Sequence, residues 1–280
     1  MLLGDMDVRF VSGGGFRLDG GAMFGVVPKT LWHKKMPPDE RNRCSFCCNS
    51  LLVRAHGKTI LIETGNGTKW SDKLRDIYAV ESGDPLAASL QAQGVTPAQI
   101  DVVINTHLHF DHAGGGTRLA NGVAVPAFPN AEYYVQRAEI EHALHPTERD
   151  RASYFPENVL PISKAGQWRM LEGSRGIFPG ISVERIPGHN ADIQAVKLAG
   201  GGKTIVFVAD LLPTRHHVPL PWIMAYDLYP MQTLETKRKW VRDIVANGWI
   251  VVFGHDPDVP AATLHEQGDK IEVRSFGLNG

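Results

Sequence analysis

The feature that most constrains this chain is a cluster of three histidines and one aspartate within six consecutive positions. The four residues are His107, His109, Asp111 and His112. Neutral imidazole nitrogens and ionised carboxylates are the usual ligands of zinc and similar ions in proteins. Because so many of these groups fall in one short stretch, the pattern favours a metal site over a solvated, histidine-rich loop.

The residues on either side of the cluster place it at the end of a buried strand. Residues 101–104 form an apolar, β-branched run, and residues 114–116 are three glycines that allow a tight turn toward a helix. Open α/β sheets bind ligands at the carboxyl ends of their strands. In extended backbone, residues two apart point to the same side, so His107 and His109 can bind one ion. The aspartate and the last histidine lie beyond the bend and can face a second ion.

A site for two ions needs more ligands than this segment supplies. Three further apolar, strand-like runs each end in one potential ligand. These ligands are His189 after the run 181–185, Asp210 at the end of the run 204–210, and His255 after the run 249–253. We therefore expect side chains from four strand ends to form one binuclear centre.

The set and order of these motifs resemble the metallo-β-lactamase superfamily over most of the chain. Residues 18–32, 106–113 and 225–230 further resemble the YtnP-like branch of quorum-quenching N-acyl-homoserine lactonases. The resemblance implies an α/β fold, the four-layer αβ/βα metallo-β-lactamase sandwich. We expect it to form a single domain over residues 1–280, since this length suits one large α/β domain.

The resemblance also implies how the ligands are shared between two divalent metal ions. Zn²⁺ is the expected metal, with Mn, Fe or Co as alternatives. His107, His109 and His189 would bind one ion, Asp111, His112 and His255 the other, and Asp210 would bridge them. The implied reaction is the opening of N-acyl-homoserine lactones or related lactones by a metal-bridging hydroxide.

Several residues are candidates for the chemistry around these ions. Asp111 could take a proton from the nucleophile and return it to the leaving oxygen. Tyr226 and Tyr229 are candidate phenols for stabilising the developing oxyanion, with core packing as the alternative for both. Glu63 stands where relatives usually carry an aspartate near the metals. By the resemblance, Gly188-His189 should be followed by a second Gly-His, which this chain lacks.

Other activities on the same site remain open from the sequence. A phosphotriesterase or aryl-esterase and a glutathione thioesterase would use the same metals, although a thioesterase would call for a basic patch that the sequence does not display. An iron-dependent oxidoreductase is a further alternative, but a carboxylate in place of His109 would favour that chemistry. A binding module that has lost catalysis conflicts with the complete ligand set.

Composition limits the partners of the chain. Lys and Arg number 29 against 30 for Asp and Glu, and no basic run favours nucleic acid as a partner. The first residues do not form a signal sequence, and no apolar run is long enough to cross a bilayer. We therefore expect a cytoplasmic enzyme with a small-molecule lactone or ester substrate and no nucleic-acid or membrane partner. The clustered cysteines Cys44, Cys47 and Cys48 indicate strand residues rather than a disulfide framework.

The remaining expectations concern secondary structure and secondary sites. Residues 19–43 are interrupted by Gly and Pro and are expected to be irregular, lying over the active-site mouth, at a homodimer interface, or wrapped on their own core. Residues 146–180 are expected to be an irregular surface excursion. Helices are expected at residues 137–144, which bring His142 and His145 to one solvated face, and at 233–247. His216 and His217 border the site in sequence and are expected to be solvated in a loop, with a substrate contact as the alternative.

Overall fold

The structure is a computed structural model that describes residues 1–278. The chain forms two compact units. Residues 1–15 and 48–173 make the first unit, and residues 16–47 and 174–278 make the second. The expectation of a single domain over the whole chain stays a prediction.

Strands and helices alternate along the chain. The strands are β1 (Leu2–Leu3), β2 (Met6–Asp19), β3 (Arg43–Ala55), β4 (Lys58–Ile62), β5 (Val102–Ile104), β6 (Thr117–Ala120), β7 (Val123–Pro126), β8 (Glu132–Gln136), β9 (Trp168–Leu171), β10 (Arg175–Phe178), β11 (Ile181–Arg185), β12 (Gln194–Gly200), β13 (Lys203–Phe207), β14 (Ile250–Val252), β15 (Ala261–Gln267) and β16 (Lys270–Ser275). The α-helices are α1 (Gly20–Phe24), α2 (Lys29–Trp32), α3 (Asp72–Tyr78), α4 (Pro85–Ala92), α5 (Phe110–Ala113), α6 (Arg137–Leu144), α7 (Pro156–Lys164) and α8 (Pro230–Asn247).

A mixed seven-stranded sheet carries the first unit, in the order β1-β2-β3-β4-β5-β8-β9. Strand β5 is central and runs parallel to both β4 and β8. All three of its residues are buried, as its apolar, β-branched sequence predicts. Helix α4 covers this sheet with Leu86 and Leu90, and Asp84 caps its first turn by accepting a hydrogen bond from the amide of Ala87. The strand that leads into the histidine cluster, β5, is therefore hydrogen-bonded to a neighbouring strand on each side.

A second seven-stranded sheet carries the second unit, in the order β10 to β16. Its strands pair antiparallel except for β13 and β14, which run parallel and so end at the same edge. Helix α8 buries Trp240 and Ile244, and its carboxyl end is closed by Gly248 with φ 61°. The helix begins at Pro230, three residues before the expected start at Thr233, because a proline at the first helical position needs no amide partner.

Residues 19–43 were expected to be irregular, but they contain the short helices α1 and α2. Met23, Phe24 and Trp32 are buried within the second unit, and the rings of Phe24 and Trp32 stack with centroids 5.3 Å apart. The side chain of Asp19 caps α1 by accepting a hydrogen bond from the amide of Ala22. These large side chains therefore pack in the core of their own unit. A role of the segment at the active-site mouth or in a homodimer stays a prediction.

The expectation of an irregular excursion at residues 146–180 is wrong. This stretch contains α7, β9 and β10, and α7 buries Val159 and Ile162 in the core of the first unit. Two of the prolines that suggested a loop lie in α7, Pro156 at the first helical position and Pro161 inside the helix. Pro156 is compatible with a helix start, and packing of the apolar face of α7 overrides the low helix propensity of Pro161.

The cysteines lie in or at the buried face of β3, in agreement with their interpretation as strand residues. Cys44 and Cys48 are buried, and the Cys47 thiol donates a hydrogen bond to the carbonyl oxygen of Asp256 at 3.2 Å. Among residues 1–278, no helix is both long enough and apolar enough to span a membrane.

Candidate metal centre

The histidine cluster of the first unit forms a buried loop at the end of β5. His107 and His109 lie in the loop, and Asp111 and His112 lie in the first turn of α5. All four residues are buried, with no more than 7% of each residue exposed. The His107 Nε2 and His109 Nδ1 atoms are 3.1 Å apart, and the His107 and His112 ring centroids are 4.0 Å apart. The loop therefore concentrates ligand atoms in a space from which water is largely excluded.

A buried carboxylate holds the start of this loop. Glu63 adopts a φ of 67° at the end of β4, and its Oε1 accepts a hydrogen bond from the amide of Thr106 at 2.6 Å. Its Oε2 lies 3.3 Å from His112 Nδ1. A positive φ is costly for a residue that is not glycine, so the strain at Glu63 is held in place by these contacts. Despite its extra methylene, Glu63 reaches a predicted ligand, as the resemblance implied for the aspartate of relatives.

The glycines after the cluster allow two backbone segments to approach closely. A Cβ atom at Gly114 would lie 2.2 Å from the carbonyl oxygen of Asn66. The carbonyl oxygen of His112 accepts hydrogen bonds from the amide and hydroxyl of Thr64, both at 2.9 Å. These contacts fix the turn that carries Asp111 and His112, and only glycine fits position 114.

Three strand ends of the second unit bring together the other predicted ligands. His189 follows β11, Asp210 follows β13 and His255 follows β14. His189 Nε2 lies 3.2 Å from Asp210 Oδ2, and His255 Nε2 lies 3.0 Å from Asp210 Oδ1. One buried carboxylate thus faces two imidazoles, one on each oxygen.

The other nitrogen of each of these rings has its own partner. His189 Nδ1 lies 2.9 Å from a carboxylate oxygen of Asp227, and His255 Nδ1 lies 2.9 Å from the carbonyl oxygen of Cys47. Both partners accept hydrogen bonds, so these contacts assign the proton to Nδ1 in each ring. Each Nε2 then carries a lone pair that faces a carboxylate oxygen, and a cation between them would satisfy both groups. The donor set of the second unit therefore fits a divalent metal ion.

Sequence reasoning missed Asp227, although it lies between the two tyrosines that were selected. Asp227 is buried, whereas Tyr226 is half-buried and Tyr229 is 48% exposed. The amide of Tyr229 donates a hydrogen bond to the carbonyl oxygen of Gly188 at 2.9 Å, which ties this segment to the loop that carries His189. The signal that could have found Asp227 is an acidic residue flanked by aromatic residues, a setting in which a carboxylate needs a buried partner.

The expectation that His217 is solvated is wrong. Its ring is 1% exposed and stacks on Phe24 with centroids 5.0 Å apart. Its two nitrogens contact the hydroxyl of Thr214 at 2.8 Å and the carbonyl oxygen of Met23 at 2.9 Å. Burial lowers the pKa of His217 to about 3 and keeps the ring neutral. The segment with α1 covers this histidine, a contact that no local pattern indicates.

Three other histidines, His142, His145 and His216, were also expected to be solvated, and each is at least partly exposed. His142 and His145 lie in or directly after α6, and His145 is exposed as predicted. His142 is only partly solvated, because its Nε2 contacts an oxygen of Asp150 at 2.5 Å. Neighbouring His216 is half-buried, and burial lowers its pKa to about 4.

Comparison with known proteins defines the class of this protein. Residues 47–255 match the model of the metallo-beta-lactamase superfamily, and the chain belongs to that superfamily. An N-acyl homoserine lactonase of Bacillus thuringiensis is 29% identical over 220 residues, which cover 73% of this chain and 79% of that relative. The predictions of an α/β metallo-β-lactamase fold and of a metal-dependent hydrolase are thereby confirmed.

Solved structures agree with this assignment. A probable metal-dependent hydrolase from Staphylococcus aureus superposes with a TM-score of 0.91 at 30% identity and covers 99% of both chains. AidC, described as a dizinc quorum-quenching lactonase, superposes with a TM-score of 0.81 at 20% identity, covering 99% of this chain and 96% of that one. At this identity the second likeness supports the fold.

Proposed function

We propose that this protein is an N-acyl-homoserine lactonase that uses two divalent metal ions, with Zn²⁺ as the expected metal. Asp210 gives the strongest support, because its two oxygens face His189 Nε2 and His255 Nε2 at 3.2 and 3.0 Å. A carboxylate with a ligand nitrogen on each oxygen has the arrangement of a residue that bridges two ions. The curated relative described as an N-acyl homoserine lactonase supports the substrate class.

The proposed ligands divide between the two ions as the resemblance implies. In this proposal, His107, His109 and His189 would hold one ion, Asp111, His112 and His255 would hold the other, and Asp210 would bridge them. Within the first unit, the ligand atoms of His107 and His109 lie within 4.8 Å of each other, as do those of Asp111 and His112. This spacing allows each pair to share one ion.

Such ions would lower the pKa of a bound water toward about 7 and polarise a carbonyl group, which would supply a hydroxide nucleophile at neutral pH. Asp111 is the proposed general base and acid, which accepts the proton of the nucleophile and delivers it to the oxygen released when the ring opens. Tyr226 or Tyr229 is proposed to donate a hydrogen bond to the carbonyl oxygen of the lactone. Both tyrosines flank Asp227, which holds His189, so their backbone is tied to a ligand loop.

A pH-indicator assay separates this proposal from the other hydrolase activities. Ring opening of a medium-chain N-acyl-homoserine lactone releases a proton, and its rate is compared with the hydrolysis of an aryl phosphotriester and a glutathione thioester. We expect the lactone to give the highest kcat/KM, and Tyr226→Phe or Tyr229→Phe to lower kcat. A preference for the phosphotriester or thioester would overturn the lactonase assignment while leaving the hydrolase class intact.

A further inference from the structure

The backbone of the histidine loop is held by a second buried carboxylate, on α6. The amide of Leu108, which lies between His107 and His109, donates a hydrogen bond to Glu139 Oε1 at 2.8 Å. Glu139 is 1% exposed. Loop amides outside regular structure need partners when they are buried, and a carboxylate is a strong acceptor for them. Glu139 therefore fixes the backbone between two predicted ligands.

The same oxygen of Glu139 has a second donor, the hydroxyl of Tyr154 at 3.1 Å. Tyr154 is also buried, and its ring meets the ring of His109 edge to face, with centroids 4.6 Å apart and planes at 70°. Tyr154 thus contacts the imidazole of His109 directly and is itself oriented by Glu139. The pair limits both the backbone and the ring orientation of one ligand.

We infer that Glu139 and Tyr154 are positioning residues that set the metal affinity of the centre by fixing His109. This inference rests on the proposed function only for the assignment of His109 as a ligand. Residues that orient metal ligands contribute about 10- to 100-fold to metal affinity. Because Tyr154 acts partly through Glu139, the effects of removing the two groups are not independent.

Zinc affinity tests the inference without any substrate. Metal-free protein is titrated with Zn²⁺ against a chromophoric chelator, and the parent is compared with Glu139→Ala, Tyr154→Phe and the double variant. We expect Glu139→Ala to weaken zinc binding about 10- to 100-fold, and Tyr154→Phe, which keeps its ring against His109, to weaken it by a few-fold. The double variant should bind zinc no more weakly than Glu139→Ala alone.

Two further variants separate positioning from stability. Glu139→Gln keeps an oxygen that can accept the Leu108 hydrogen bond, so it should recover part of the affinity even if Glu139→Ala unfolds. Glu141→Ala removes an exposed carboxylate from the same helix and should bind zinc like the parent. Urea unfolding of the metal-free forms shows which variants are folded.

Zinc affinity of folded Glu139→Ala within twofold of the parent, unchanged zinc affinity of Tyr154→Phe if Glu139→Ala does not fold, or strictly multiplicative losses in the double variant would overturn the inference. Because the readout is zinc binding, a protein that binds zinc but opens no lactone would refute the proposed substrate and leave the positioning roles to be judged by these affinities. A KM for lactone that rises with an unchanged kcat in zinc-saturated Tyr154→Phe would also overturn it, since the residue would then bind substrate.

Discussion

Replacing Asp227 by alanine tests how the proposed ligand His189 is oriented. The His189 Nδ1 atom lies 2.9 Å from the Asp227 carboxylate, and both residues are buried, with 3% of each exposed. Without that acceptor, a buried N–H loses its partner, which costs about 1–3 kcal/mol. The ring can recover this energy by turning or by moving its proton to Nε2, and either change removes the lone pair that a metal ion needs. We expect Asp227→Ala to weaken zinc binding about 10- to 100-fold, which corresponds to about 1.4–2.7 kcal/mol.

The assay is competition for Zn²⁺ with a chromophoric chelator, together with urea unfolding of the metal-free protein. Asp227→Asn keeps an amide oxygen that can accept the hydrogen bond, so its loss should be smaller. Asp243→Ala, on the outer face of α8, removes a carboxylate whose partners are the surface residues Lys239 and Arg242 and serves as the control. The reasoning is refuted if folded Asp227→Ala binds zinc within twofold of the parent.

Three further predictions concern the chemistry, the loop and the pH dependence of stability. Asp111→Asn should lower kcat for lactone opening by about 10²- to 10⁴-fold with a much smaller loss of bound metal, and equal losses of both would reduce Asp111 to a ligand. Gly114→Ala should lower the urea midpoint and the metal content, because its Cβ would lie 2.2 Å from the carbonyl oxygen of Asn66, and a parent-like midpoint would contradict that close approach. The pKa of His217 is lowered from 6.5 to about 3 by burial, so the unfolded chain binds an extra proton between these values and stability falls as the pH falls through this window. His217→Gln should reduce the slope of the unfolding free energy against pH by up to about 1.4 kcal/mol per pH unit, which is the contribution of one proton. A series of urea unfolding curves at different pH values measures this slope, and an unchanged slope would count against a neutral buried ring.

The candidate ligands could be proposed from sequence because each follows a short apolar strand. The end of a buried strand is a local feature, so His107, Asp210 and His255 were visible one segment at a time. The fold class followed from the family resemblance that the order of the same motifs carries. The helix α7 could not be predicted, because Pro156 and Pro161 are typical of loops. Only the tertiary structure shows that the apolar face of this helix packs in the core of the first unit.

The residues that contact the candidate ligands and their loop could not be found in this way. Asp227 contacts His189 across 38 positions, and Glu139 contacts the loop across 31 positions. His217 meets the carbonyl oxygen of Met23 across 194 positions. These partners are chosen by tertiary packing, and a single carboxylate or histidine in a helix or loop carries no local sign of a buried contact.

Stepwise metal loading tests the central claim most directly. Metal-free protein is titrated with Zn²⁺, and both bound zinc and the opening of a medium-chain N-acyl-homoserine lactone are measured at each step, with His109→Ala as the comparison. The account predicts two zinc ions per chain, lactone turnover that reaches its maximum only with the second ion, and loss of turnover in His109→Ala. Full turnover with one ion per chain, or two bound ions with no lactone opening, would contradict it.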